Sequence, residues 1–190
     1  MDDVYRNPRY LIRRDFFTPL GAKFWVYDPQ QRAILFSQQK AFKLKEDIRV
    51  YADESKSREM LTIQARSVID FSAAYDVVDA TEKRKVGALR RKGWSSVVRD
   101  SWEFLDEADQ PIGKIQEDST LYAMLRRFVT NLIPQNFHAH RNGTEIATYR
   151  QRFNPFLLKL DVEIREGSGV DPRLALAAGI LLAAVEGRQQ

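Results

Sequence analysis

The cleanest periodicity in this chain is two. In "LLKLDVEIR" (157–165), Leu158, Leu160, Val162 and Ile164 alternate with Lys159, Asp161, Glu163 and Arg165, which predicts a strand with one buried and one wet face. Before it, one pattern recurs five times: an apolar or aromatic run, a polar turn, then a second apolar run. The five stretches are "FWVYDPQQRAILF" (24–36), "IRVYADESKSREMLTI" (48–63), "YDVVDATEKRKVGAL" (75–89), "SWEFLDEADQPIGKI" (101–115) and "FHAHRNGTEIATY" (137–149). An aspartate opens the first four turns, at Asp28, Asp53, Asp79 and Asp106, and Asn142-Gly143 supplies a type I′ turn in the fifth. Each reads as a β-hairpin, and "YLIRR" near Tyr10 adds one more strand, for about twelve in all.

Two segments break this pattern. In "STLYAMLRRFVTNLIP" (119–134), Leu121, Met124, Leu125, Phe128 and Leu132 follow helical spacing, with Ser119 or Thr120 to cap and Pro134 to stop. This predicts an amphipathic helix over 120–132. The second runs from Leu174 to Val185 without a polar side chain and is rich in leucine and alanine, so it is a helix apolar on every side. Asp171 is placed to cap it, Pro172 sits at its first position, and Gly187 can end it. These apolar positions span about 18 Å, well short of the ~30 Å hydrocarbon core of a bilayer. No transmembrane span is expected, so the helix must be enclosed by protein.

A sheet of about twelve antiparallel strands calls for closure, and a barrel of that size has room for a helix about 10–12 Å wide. The expected fold is mainly β: a closed antiparallel barrel of about twelve strands around a hydrophobic C-terminal helix, with the additional amphipathic helix near 120–132. Residues 1–8 are expected as a flexible N-terminal segment and 9–187 as a single domain. "EGSGVDP" (166–172) links the last strand to the interior helix.

Composition narrows the class further. The chain has 190 residues, 44% of them hydrophobic and 29% charged, enough for one domain with a sizeable core. There is no cysteine, which removes disulfides and thiol chemistry and suits a cytoplasmic location, peripheral at a membrane. "MDDVYRNPRY" lacks the basic and apolar regions of a secretory signal. A net charge of +4 with a pI near 9.3 permits contact with anionic lipid or nucleic acid.

Against this background the sequence resembles the Tubby C-terminal-like superfamily, and within it the LURP-one-related branch that includes the phospholipid scramblases. The resemblance covers roughly residues 9–187 and is carried by "LRRKGWSSVVRDSWEFLD" (89–106), "LDVEI" (160–164) and "GVDPRLALAAGILLAAVEG" (169–187). It implies a twelve-stranded barrel around a C-terminal helix, in agreement with the strand count. It also implies a binding module, since tubby domains bind phosphoinositides through basic surface residues. The acidic calcium segment of scramblases is replaced here by "YRQRFNPF" (149–156), with no carboxylate, and their cysteine cluster is absent.

Candidate chemistry is therefore basic. Lys83, Arg84 and Lys85, Arg90, Arg91 and Lys92, and Arg126 with Arg127 are candidate lipid-headgroup residues, alongside Arg13-Arg14. Spacing along one strand places the 83–85 and 90–92 clusters at opposite ends of the barrel. Solvated charge is the plainer explanation of each. Phe16 and Phe17, beside Arg13 and Arg14, are membrane-interface candidates, whereas Trp25, Trp94 and Trp102 read as core or strand packing. His138 and His140 share one strand face with no third histidine or cysteine, so no metal is expected. "DEAD" (106–109) is a hairpin turn. No nucleophile elbow, Rossmann glycine pattern or phosphate loop occurs, and no cofactor is expected. The expected function is a non-enzymatic module that binds anionic phospholipid headgroups. A protein-interaction scaffold is the alternative, nucleic-acid binding ranks below it, and a small-molecule pocket at one barrel mouth is a further alternative.

Overall fold

The computed structural model describes residues 1–15, 22–39, 47–67, 74–92, 101–117, 134–152, 154 and 157–185. Its strands are β1 (Arg9–Asp15), β2 (Ala22–Tyr27), β3 (Ala33–Gln39), β4 (Asp47–Tyr51), β5 (Glu59–Ala65), β6 (Ala74–Asp79), β7 (Arg84–Lys92), β8 (Ser101–Leu105), β9 (Pro111–Glu117), β10 (Asn136–Arg141), β11 (Thr144–Arg152) and β12 (Leu157–Ile164). Each pairs antiparallel with its neighbours in sequence, and β1 pairs with β12 to close a twelve-stranded barrel. The helix α1 (Pro172–Val185) fills it. The predicted helix at 120–132 lies outside the described residues.

Turn chemistry explains the hairpins. The Asp28 carboxylate accepts from the Arg32 N–H at 2.9 Å, Asp53 from Ser55 at 2.8 Å, Asp79 from Thr81 and Glu82 at 2.9 Å, and Asp106 from Ala108 and Gln110. Asn142 and Gly143 both take positive φ, 50° and 81°, as a type I′ turn requires. All these turns sit at one end of the barrel, where α1 begins; the other six connections between strands leave from the other end, where α1 finishes. We call these the lower and upper ends.

Alternation sends Tyr10, Ile12 and Arg14 of β1, and Leu158, Leu160, Val162 and Ile164 of β12, into the core. From Leu174 to Ala184 every side-chain-bearing residue of α1 is buried, as expected of a helix with no polar face. Three polar groups fix it in place. At its start the Asp171 carboxylate accepts from the Arg173 backbone N–H at 2.9 Å as a cap. Still in the first turn, the buried Tyr149 hydroxyl donates to the Ala175 carbonyl at 3.0 Å. At its end Arg14, 6% exposed, donates from Nη1 to the Ala183 carbonyl at 3.0 Å, a cation against the negative end of the helix dipole. Residues 1–8, expected as flexible, carry a 3₁₀ turn at Asp3–Tyr5, and Tyr5 is 1% exposed in the core.

Gly179 sets how closely α1 approaches the β1–β12 wall. A Cβ there meets Val162 Cγ2 at 2.8 Å and Ile12 Cδ1 at 2.9 Å. Val162 is β-branched and stiff at χ1, so it yields little. Gly179→Ala is therefore expected to lower Tm: overpacking of about 1–3 kcal/mol outweighs the ~1 kcal/mol that alanine contributes as the better helix former. Thermal denaturation checks this, and a raised Tm shows that the wall gives way.

Candidate functional site

With α1 inside, little interior space remains. A shallow recess at the upper mouth, lined by Phe137, Leu158, Leu160 and Leu182 with Gln135 and Gln151, has room for about one water molecule. Among the described residues, that recess leaves no room for a larger ligand, and most cations lie on the outer surface.

The predicted basic residues do not form one patch. Lys83 occupies the β6–β7 turn at the lower end with φ of 52°. Its neighbours are met by carboxylates: Arg84 lies 3.6 Å from both Glu82 and Glu107, and Lys85 lies 2.7 Å from Asp109 and 3.3 Å from Asp76. Arg90–Lys92 stand at the opposite, upper end of β7, as the spacing predicts. There Arg90 and Lys92 both bind Glu103, at 2.7 and 2.6 Å. Burial pushes the Glu103 carboxyl up, but the bonds from Lys92 and Arg90 hold it below the ordinary glutamate range. Arg91 points the other way, inward, with its guanidinium 5.8 Å from the ring of buried Trp102. Phe16, Phe17, Trp94, Arg126 and Arg127 lie outside the described residues.

A different basic surface emerges from strand pairing. Arg13 of β1 lies directly opposite Lys159 of β12, and Lys159 lies directly opposite Arg152 of β11. All three point outward on adjacent strands, so the row is about 10 Å from end to end at the usual ~4.8 Å strand spacing. Like charges directly opposite one another are destabilising by up to about 1 kcal/mol per pair. Arg152 forks onto Asp161 at 2.5 and 2.6 Å, and Arg13 lies 3.4 Å from Asp15. Lys159, and the nearby Lys23 and Arg150, form no ion pair among the described residues. Trp25 sits at the end of the row, its ring 5.7 Å from the Arg13 guanidinium and packed 5.5 Å from Phe36. Arg13 is visible in sequence as part of a basic pair; Lys159 and Arg152 are isolated charges there, joined only by register.

The histidines are engaged in a polar strand face. His138 Nδ1 lies 2.6 Å from Glu145, which also binds Arg165 at 2.9 Å, and His140 stacks on His138 at 6.4 Å.

A family model described as LURP-one-related matches residues 33–183, from β3 through most of α1. The chain belongs to the LURP-one-related family. β1 and β2 fall outside the matched span yet close the barrel, and β1 supplies Arg13 to the basic row. LURP-one-related domains are tubby-like and typically non-catalytic, which fits a barrel filled by its own helix. A comparison with curated proteins gives no match. Among the described residues, no helix is long and apolar enough to cross a membrane.

Proposed function

We propose that this LURP-one-related barrel is a non-enzymatic, single-domain module that binds anionic phospholipid headgroups at a membrane surface. The observation that carries this is the row Arg152–Lys159–Arg13. Three cations are held side by side on adjacent strands against their mutual repulsion, with Lys23 and Arg150 close by and in no ion pair among the described residues. A phosphate oxygen relieves that repulsion and accepts hydrogen bonds from several of them at once. The row also contains paired cations, Arg152 on Asp161 and Arg13 near Asp15, but it adds Lys159, whereas Arg84, Lys85, Arg90 and Lys92 of the other clusters all face carboxylates.

The test is co-sedimentation with vesicles of neutral phosphatidylcholine, with and without anionic phosphatidylserine, at low and moderate salt. Binding is expected only with the anionic lipid and is weakened by salt. Each lysine or arginine near such a surface contributes on the order of 1 kcal/mol. The double reversal Arg13→Glu/Lys159→Glu is therefore expected to weaken binding by at least about tenfold. Lys85→Glu, in the lower cluster, is expected to change it little. Equal binding to both vesicle types, or an unaffected double variant, counts against the basic row.

A further inference from the structure

The charges of the barrel are sorted along its axis. The lower turns and flanking segments (1–8, 28–32, 52–58, 80–83, 106–110, 142–143 and 165–171) carry eleven aspartates and glutamates against six lysines and arginines. The three residues of each strand nearest the upper end carry ten lysines and arginines, of which Arg14 and Arg91 face inward and eight face outward, against five aspartates and glutamates. Among the described residues, the barrel is thus acidic at one end and basic at the other. The acidic end has a folding reason, because Asp28, Asp53, Asp79 and Asp106 each accept backbone N–H groups in their turns. Turn chemistry gives no such reason for cations at the upper strand ends.

We infer that the barrel docks end-on, with its upper rim against an anionic membrane and its acidic turns facing away. This rests on the headgroup-binding reading above and specifies the geometry of that same site. β7, at nine residues, measures about 30 Å, and a tilt of about 40° leaves about 23 Å along the axis. The surface potential decays over a Debye length of about 8 Å at physiological salt. At the lower end it has fallen to less than about a tenth of its surface value, so the acidic turns are barely repelled in this pose. Inverting the barrel puts the acidic end in the strongest part of the field.

The absence of cysteine allows single reporters to be placed cleanly. Gln64→Cys on β5 and Gln116→Cys on β9 are exposed near the upper end, far round the wall from the β12–β1 seam. Gln30→Cys and Ala108→Cys are exposed in lower turns. All four are uncharged substitutions. Each protein is labelled with a polarity-sensitive fluorophore and mixed with phosphatidylcholine vesicles, with or without phosphatidylserine, and sedimentation is measured on the same samples. A blue shift at positions 64 and 116, with none at 30 and 108, is the expected result on the anionic vesicles. Sedimentation with a shift at 30 or 108, or with none at 64 and 116, overturns end-on docking and leaves headgroup binding standing. Failure of every labelled protein and of the unlabelled one to sediment overturns the headgroup reading itself, and the docking geometry with it.

Discussion

Leu181→Asp is expected to abolish soluble expression of the folded barrel. Leu181 is 1% exposed on α1, enclosed by the strand wall. The substitution removes a buried leucine, at about 2–5 kcal/mol. It also buries a carboxyl without a partner, which costs about 2–7 kcal/mol even when the group protonates to escape its charge. The sum rivals the whole stability of an ordinary domain, about 5–15 kcal/mol. Leu181→Met keeps the volume and polarity and is expected to cost less than about 1.5 kcal/mol, so it separates a specific chemical effect from intolerance of any change. Soluble yield and circular dichroism decide the matter. A well-folded aspartate variant melting near the wild-type Tm contradicts an enclosed helix.

That helix was readable in the sequence because burial on all sides leaves no choice of residue: a stretch with neither polar face nor membrane length has one remaining environment. The hairpins were readable for a similar reason. Asp28, Asp53, Asp79 and Asp106 are demanded by local turn geometry, and local geometry is written in adjacent residues. Closure of the barrel followed from strand number and the need to surround α1.

The basic row was not readable, and the reason is register. Arg13 and Lys159 are far apart in sequence and meet only because β1 pairs with β12. Conversely, Arg90, Arg91 and Lys92 are adjacent in sequence, yet a strand turns Arg91 inward onto Trp102 and its neighbours outward onto Glu103. Alternation by itself forecasts that split. The neutralising Glu103 comes from the next strand and depends again on register. Contiguous charge along a strand is therefore a poor guide to a surface patch, and charge at matched positions on paired strands is a better one.

Arg173→Met is expected to destabilise the barrel by about 3–5 kcal/mol, the usual loss when one member of a buried ion pair is removed. Arg173 stands in the first turn of α1, where the helix dipole disfavours a cation. It is held there by Asp79 at 2.7 Å, Glu82 at 2.8 Å and Asp171 at 2.7 Å, with the Arg173 and Asp79 side chains only 3% and 1% exposed. The pair ties the start of the helix to the β6–β7 turn. Burial alone would raise the Asp79 carboxyl; hydrogen bonds from the Thr81 hydroxyl, the Glu82 and Thr81 N–H groups and Arg173 outweigh it and bring the pKa from 3.8 down to about 2. A depressed folded-state value contributes stability that is present above the unfolded pKa near 3.8 and lost as pH falls toward 2. The shift corresponds to roughly 2 kcal/mol. Denaturant melts of the wild type are thus expected to weaken between pH 4 and pH 2 through this group. Arg173→Met/Asp79→Asn removes both charges, so it is expected to recover part of the loss of the single variant at pH 7 and to flatten that acid limb. A double variant no more stable than Arg173→Met would mean that the loss comes from packing of the arginine stem rather than from a stranded Asp79 charge.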